Sequence, residues 1–172
     1  PYKNHINLLK CFQELFDEGF KTELICIGKW SFKNYKKKIL KFYKENQLHK
    51  KNIQLQNEIT RDKIYQEYNK SDVFIFASSC EAGSIALIEA LNFGLPILSS
   101  NKSSMPEYLG EAGMYFNPEN YHDIKLCVLN LIKNRKKLLI LSKKSRKQSY
   151  NFNSKYSANK IISIIKNFES VK

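Results

Sequence analysis

The sequence predicts an α/β fold of the doubly wound class, in which a parallel sheet carries helices on both faces. Short apolar runs rich in strand-forming residues alternate with longer segments whose apolar residues recur at helical spacing. The 172 residues are 42% hydrophobic, which is enough for one domain with a sizeable core. The whole chain, 1–172, is therefore predicted to form a single domain.

In the first half of the chain, three predicted helices alternate with three predicted strands. The strands are the apolar runs "ELICIG", "NIQLQ" and "DVFIFA", the last being especially rich in strand formers. Asn4 is expected to cap the first helix, and Ser31 is expected to open the second, which is basic and amphipathic. The predicted helices cover about residues 4–19, 31–48 and 61–69.

The second half continues the alternation and then becomes helical. The strands predicted here are "PILSS" and "GMYF". A helix precedes the first of them, a short helical turn separates the two, and three helices follow the second. These helical segments cover about residues 84–93, 106–109, 121–133, 136–148 and 155–168.

The chain is strongly basic, with 29 Lys and Arg against 16 Asp and Glu and a net charge of +13. Much of this charge lies in two clusters, at residues 33–44 and 133–147. Such a balance favours anionic partners, either phosphorylated small molecules, an anionic membrane surface or nucleic acid. The alternative is two solvated helix faces. Nucleic acid is the least favoured of these partners, and we expect none.

Cysteine and histidine spacing bears on metal sites and on the cellular compartment. The four cysteines are scattered without a CxxC pair and the three histidines are isolated, which disfavours a disulfide framework or a zinc site. No apolar run approaches the ~20 residues of a membrane span. Free thiols suggest a cytoplasmic protein, and the lysines of residues 33–44 add the hypothesis that it associates with the inner face of the plasma membrane.

The segment "SSCEAGSIALIEALNFGLPILSS", residues 78–100, is the strongest candidate for a ligand site. It follows the strand "DVFIFA", and ligands of doubly wound sheets bind beyond the carboxyl ends of the strands. Gly83 and Ser84 open a helix whose first N–H groups suit a phosphate. Glu81 lies just before this helix terminus, and Glu89 lies within the helix.

The two glutamates allow three interpretations. A general acid and base pair is disfavoured, because eight residues separate the backbones by roughly 12 Å along the helix, beyond the ~5–9.5 Å that such carboxyls need. Two carboxylates that bind hydroxyls on either side of a phosphate fit better, and a nucleotide sugar has that layout. The third interpretation is a capped core helix with two incidental glutamates.

The order of motifs resembles a known family. Ser78-x-x-Glu81-x7-Glu89-Ala90 is followed by Gly94-x-Pro96, Pro106-Glu107 and "GEAGMYFNPEN". This series is similar to the carboxyl-terminal domain of the retaining nucleotide-sugar glycosyltransferases with the GT-B fold, "glycosyl transferases group 1" or family 4. The stretches "KNHINLLKCFQEL", "LICIG" and "ITRDKIYQEYNKSDVFIFAS" resemble the domain's first helix, its second strand and the approach to its motif.

The resemblance implies a Rossmann-like domain that binds a nucleotide-diphosphate sugar and supports its retaining transfer to a glycan or lipid-linked acceptor, in assembly of bacterial surface glycans such as lipopolysaccharide or capsule. It implies that Glu81 binds the donor sugar as the catalytic residue, that Glu89 binds the ribose and that Lys3 neutralises the diphosphate. The further donor-binding residues that it implies are Ser78, Ala82, Gly83, Ser84 and Ile85 at the sugar and diphosphate, and Asn57, Glu58 and Ile59 at the base. No cofactor and no divalent metal are expected, and the sequence has no D-x-D pair.

Several departures from the family pattern affect these expectations. The family's first strand, with its Gly-Arg pair, lies outside this sequence, and in a 3-2-1-4-5-6 order it would separate "LICIG" from "VFIFA". The acceptor-binding amino-terminal domain also lies outside it, so we expect half of an active site and no transfer by this chain alone. Asn57 replaces a glycine, and Ala82-Gly83-Ser84 replaces the usual Gly-Phe-Gly. The alternatives are a nucleotide-sugar epimerase of the same fold, or a non-catalytic basic module for membrane or nucleic acid.

Overall fold

In the computed structural model, which describes residues 2–29, 32–152 and 154–169, short parallel strands are flanked by α-helices. The strands are β1 (Leu24–Ile27), β2 (Ile53–Gln56), β3 (Phe74–Phe76), β4 (Ile97–Ser100) and β5 (Gly113–Phe116). The helices are α1 (His5–Asp17), α2 (Lys33–Glu45), α3 (Arg61–Lys70), α4 (Ile85–Asn92), α5 (Met105–Leu109), α6 (Tyr121–Ile132), α7 (Arg135–Ser149) and α8 (Ser154–Glu169). The predicted α/β class is confirmed. Within the described ranges, no helix is both long and apolar enough to cross a membrane.

The strands form two parallel sheets. β1 pairs with β2, and β4 lies between β3 and β5. Among the described residues, β1 and β3 are not paired with each other. The predicted 3-2-1-4-5-6 order places the family's first strand between these two, so their separation agrees with the prediction. The orders β2-β1 and β3-β4-β5 agree with it.

Helices cover both faces of the three-stranded sheet. Ile97 and Leu98 are neighbours on β4 and are both almost fully buried, but they belong to different core clusters. Successive side chains of a strand point to opposite faces, so each cluster lies on one face. The Leu98 cluster contains side chains of α1, α2 and α6, and the Ile97 cluster contains side chains of α3, α4 and α5.

Helix α4, which follows β3, is fixed to the sheet by its apolar side. Leu87, Ala90 and Leu91 are almost completely buried in the cluster around Ile97. Burial of a leucine side chain stabilises the fold by about 1.5–3 kcal/mol. The helix that begins just after Glu81 therefore has a defined position on one face of the sheet.

The start of α1 differs from the prediction. Asn4 precedes the helix, but its backbone is left-handed, with φ 52°, and its side chain makes no cap hydrogen bond. Its amide Nδ2 instead donates to the carbonyls of Tyr2 and Ala77 and to Ser79 Oγ, at 3.1, 2.9 and 2.6 Å. The left-handed turn directs the amide to the loop after β3, so Asn4 joins the start of α1 to that loop.

Helix α2 is shorter than predicted. It begins at Lys33, and the Ser31 start that the sequence suggested lies outside the described residues. It ends at Glu45, because Gln47 adopts a left-handed conformation with φ 49° that an α-helix cannot contain. Leu48 then belongs to a separate 3₁₀ turn, Leu48–Lys51.

Candidate functional site

The predicted amino-terminal cap of α4 is confirmed. Ser84 has an extended backbone, and its Oγ accepts a hydrogen bond from the Leu87 N–H at 3.4 Å. Ile85, the first helical residue, is 73% exposed, so the surface around this terminus is open. The first-turn N–H groups of a helix carry its positive dipole end, and a phosphate bound there would be stabilised.

Glu81 is held just before the terminus by two side chains. Its Oε1 accepts hydrogen bonds from Lys3 Nζ at 2.5 Å and from Ser78 Oγ at 2.9 Å. The Glu81 side chain is 17% exposed, and Ser78 is buried. A partly exposed carboxylate with defined donors can accept further hydrogen bonds from a ligand.

Lys3 reaches Glu81 from the turn before α1. Its ammonium lies 5.4 Å from the ring centre of Tyr2 and 5.3 Å from that of Phe76, where the ring faces attract a cation. The side chain is still 41% exposed. A lysine ammonium has three donors, so Lys3 can pair with Glu81 and also face an anionic ligand.

Glu89 lies on α4, one turn beyond its start, and is held by longer contacts. Tyr68 Oη donates to its Oε2 at 3.3 Å, and Arg61 Nη2 donates to its Oε1 at 3.5 Å. The Glu89 side chain is 21% exposed and that of Arg61 is 70% exposed. Burial, helped by the Glu89 charge, raises the pKa of Tyr68 well above its ordinary value, so its hydroxyl stays protonated and donates.

The remaining predicted residues lie in two loops. Ala82 and Gly83 are exposed between Glu81 and the α4 cap. A Cβ added to Gly83 would lie 2.6 Å from Tyr108 Oη, so close packing against Tyr108 favours glycine at this position.

The second loop follows β2 and contains the residues predicted for the base. Asn57 and Glu58 are exposed, and Ile59 is half-buried. The link of this loop to the site is indirect, because Arg61, two residues beyond Ile59, contacts Glu89. The structure thus joins Lys3, Ser78 and Glu81 by direct contacts, but not residues 57–59.

Comparison with known protein families identifies the family of this chain. The model of glycosyl transferases group 1 matches residues 1–148. The chain belongs to this family. The resemblance seen in the order of its motifs is thereby confirmed.

Relatives and solved structures agree with the assignment to glycosyl transferases group 1. The chain is 34% identical over 128 residues to the serotype-specific mannosyltransferase WbdA of Escherichia coli, which covers 74% of this chain and 16% of WbdA. Anabaena HepE in complex with UDP superposes with a TM-score of 0.84 at 16% identity, covering 97% of this chain and 46% of HepE. The C-terminal domain of LpcC from Francisella tularensis superposes with a TM-score of 0.75 at 17% identity, covering 87% of this chain and 79% of the LpcC domain.

These structures share the fold of the carboxyl-terminal half of a GT-B glycosyltransferase. The chain spans less than half the length of HepE, 46%, and 16% of the length of WbdA. The Rossmann-like fold expected from the resemblance is confirmed.

Sequence reasoning missed four side chains that touch the predicted site. Arg61 and Tyr68 contact Glu89, and their spacing of seven residues puts them on one face of α3. Ser103 and Ser104 bind the main chain of Glu81. Their position just after β4 could have identified them from the sequence, because ligand-binding loops lie at the carboxyl ends of parallel strands.

Proposed function

We propose that this domain binds a nucleotide-diphosphate sugar across the start of α4 and supports retaining transfer of the sugar to a glycan or lipid-linked acceptor. The observation that carries the proposal is the placement of two partly exposed carboxylates around one open helix terminus. Glu81 lies before the terminus with Lys3 on its carboxylate, and Glu89 lies one turn inside the helix. Membership of glycosyl transferases group 1 supports it.

The chemistry follows from this arrangement. Glu81, as the catalytic residue, accepts hydrogen bonds from hydroxyls of the sugar, with Ser78 and Ala82 beside it. Glu89 accepts them from the ribose. As the bond from the anomeric carbon to the diphosphate breaks, its electron pair leaves with the diphosphate. The acceptor hydroxyl forms the new bond to the anomeric carbon, and its proton passes to an oxygen of the departing diphosphate. Lys3 and the start of α4 stabilise the negative charge that develops on the leaving group.

The N–H groups of Gly83, Ser84 and Ile85 are proposed to face the diphosphate. Together with Lys3 they supply positive groups at the place where a divalent ion would otherwise bind it. We therefore propose donor binding without a metal or other cofactor. The test is a binding titration with and without EDTA, and an affinity that falls with EDTA and returns with Mg²⁺ would contradict it.

The identity of the donor is proposed from relatives. WbdA and a second relative from Escherichia coli, 31% identical over 62 residues, carry mannosyltransferase names, and HepE has been solved with UDP and with UDP-glucose. A mannosyl donor is therefore the first to test and a UDP-sugar the second. Residues 57–59 are proposed to contact the base. The O-antigen name of the second relative supports a role in surface-glycan assembly.

Two exposed surfaces support proposals on partners. The α8 face with Ile161, Ile164, Ile165 and Phe168 is 48–75% exposed, which suits packing against a second, acceptor-binding domain.

The exposed lysines of α2 suit the anionic inner face of the plasma membrane, with the protein on its cytoplasmic side. Transfer by the 172 residues alone would contradict the first proposal. Failure to sediment with anionic vesicles at low salt would contradict the second.

Isothermal calorimetry with GDP-mannose, GDP, UDP-glucose and UDP tests donor binding. Glu89→Gln is expected to weaken sugar nucleotide and free nucleotide alike, by about tenfold for a charged hydrogen bond. Glu81→Gln is expected to weaken only the sugar nucleotides by a similar factor. Glu119→Gln, at an exposed loop residue, is the control and should change neither.

Indifference of the unmodified chain to all four ligands would overturn the proposal, as would equal loss of both ligand types in Glu81→Gln. Retention is a separate question, answered by the anomeric configuration of the transfer product, which NMR measures. An inverted product would contradict it.

A further inference from the structure

The loop between β4 and α5 contains a serine in a conformation that serine rarely adopts. Ser103 has φ 55°, in the left-handed region where glycine fits freely and residues with a Cβ are strained. Glycine at this position would remove the strain. Strained residues concentrate at functional sites, so the Ser103 side chain needs an explanation.

The Ser103 hydroxyl binds both main-chain groups of Glu81. Its Oγ accepts a hydrogen bond from the Glu81 N–H at 3.2 Å and donates to the Glu81 carbonyl at 2.7 Å. Ser104 Oγ donates to the same carbonyl at 2.8 Å. Three hydrogen bonds therefore fix the main chain of one residue from a loop 22 residues along the chain.

The loop that makes these bonds is itself anchored. The N–H of Asn101 donates to the Phe116 carbonyl at 2.9 Å, and the N–H of Lys102 donates to Ser100 Oγ at 3.0 Å. These contacts join the loop to β4 and β5. Through Ser103 and this loop, Glu81 is connected to β4, the central strand of the three-stranded sheet.

We propose that Ser103, assisted by Ser104, is a positioning residue that fixes Glu81 for the sugar part of the donor. The proposal rests on the proposed function. Lys3 and Ser78 hold the Glu81 carboxylate, and Ser103 and Ser104 hold the Glu81 main chain. Without the Ser103 hydroxyl the main chain can move, and the carboxylate loses its alignment with the sugar hydroxyls. The Ser84 cap of α4 does not depend on Ser103, so nucleotide binding is unaffected.

The test compares Ser103→Gly with the unmodified chain. Glycine removes the hydroxyl and also the backbone strain, so the fold is retained. Ser104→Ala is a second variant, and Ser163→Ala is the control, because Ser163 Oγ bonds within its own helix, to the Lys160 carbonyl. Calorimetry gives the Kd of the sugar nucleotide and of the matching free nucleotide for each chain. Hydrogen exchange of the Glu81 N–H reports on its main chain directly.

In Ser103→Gly we expect the preference for the sugar nucleotide over the free nucleotide to fall about five- to tenfold, as for loss of one or two hydrogen bonds. Affinity for the free nucleotide should stay within about twofold, and exchange of the Glu81 N–H should accelerate. Ser104→Ala should give a smaller fall. Equal weakening of both ligands, or an unchanged preference, overturns the inference while the proposed function stands. Absence of donor binding by the unmodified chain fails the proposed function, and the inference fails with it.

Discussion

The two carboxylates of the site are held in different ways. At the end proposed for the sugar, which we call the sugar end, Glu81 accepts hydrogen bonds from Lys3 at 2.5 Å and from buried Ser78 at 2.9 Å. At the end proposed for the ribose, which we call the ribose end, Glu89 has contacts of 3.3 Å from Tyr68 and 3.5 Å from Arg61. Short, partly buried hydrogen bonds restrict a side chain more than long ones to an exposed partner.

The difference between the ends suits their proposed roles. A carboxylate at the reacting sugar gains from fixed geometry, because misplacement by about 1 Å costs up to ~100-fold in rate. A carboxylate that binds the ribose has only to contribute affinity. We therefore expect substitutions at the sugar end to have larger effects than matched substitutions at the ribose end.

Lys3→Met is the strongest test of the sugar end. It removes the cation proposed for the diphosphate and also the main partner of Glu81, so we expect donor affinity to fall about 100-fold, as for loss of charged hydrogen bonds. Calorimetry with sugar nucleotide and free nucleotide measures the loss. Lys21→Met, at an exposed residue between α1 and β1, is the control. An affinity within threefold of the unmodified chain would rule out a diphosphate role for Lys3.

Gly83→Ala tests the packing beside Glu81. The new Cβ would lie 2.6 Å from Tyr108 Oη and 3.4 Å from Cζ, and the Tyr108 ring is stacked on Phe152 at 5.3 Å, so it cannot move freely. We expect a loss of about 1–2 kcal/mol in the free energy of unfolding and about fivefold in donor affinity. Chemical denaturation and calorimetry measure the two.

Adding Tyr108→Phe to Gly83→Ala provides the matched control. Removal of the hydroxyl leaves Cζ as the nearest atom, at an ordinary van der Waals distance, so most of both losses should be restored. Tyr108→Phe alone should be close to neutral. If the double variant is as impaired as Gly83→Ala, the clash with Tyr108 is not the cause.

His5, at the start of α1, gives the stability of the fold a pH dependence. Burial, with a smaller contribution from the Lys3 charge, lowers the pKa of His5 to about 4 from its ordinary value near 6.5. Between these values the unfolded chain binds a proton that the folded chain does not, so stability falls as the pH drops from about 6.5 to 4. His5→Gln should flatten this part of the unfolding profile, whereas His49→Gln, at an exposed residue, should not. NMR titration should find a higher His5 pKa in Lys3→Met, and an unchanged value would contradict the link to Lys3.

The fold was largely predictable because it depends on patterns local in sequence. Alternating apolar runs and helical periods identified the strands and helices, and Ser84 capped α4 as expected. The prediction that Asn4 caps α1 through its side chain was wrong, because asparagine, which often caps helices, also adopts left-handed turns. Its amide instead bonds to the Ala77 carbonyl and to Ser79. Nothing in the neighbouring sequence distinguishes the two outcomes.

The contacts that complete the site were not predictable in the same way. Glu81 and Glu89 were found from their spacing around a helix start. Ser103 binds Glu81 across 22 residues of sequence, and Tyr68 binds Glu89 across 21. Such contacts depend on which loops and helices the sheet brings together, and a sequence pattern specifies this only once the strand order is known.

Tyr68→Phe is expected to have the smallest effect and gives the sharpest comparison of the two ends. It removes one hydroxyl donor from Glu89, as Ser78→Ala removes one from Glu81. Each hydroxyl also lies 3.4 Å from a main-chain carbonyl, that of Ala86 for Tyr68 and that of Cys80 for Ser78. The two bonds differ in length, which is 3.3 Å for Tyr68 and 2.9 Å for Ser78. We expect free-nucleotide affinity to fall about twofold in Tyr68→Phe, and sugar-nucleotide affinity to fall about tenfold in Ser78→Ala, where the bond is shorter. Calorimetry on both variants decides, because equal losses would mean that the two carboxylates are held equally firmly and that geometry at the sugar end has no special importance.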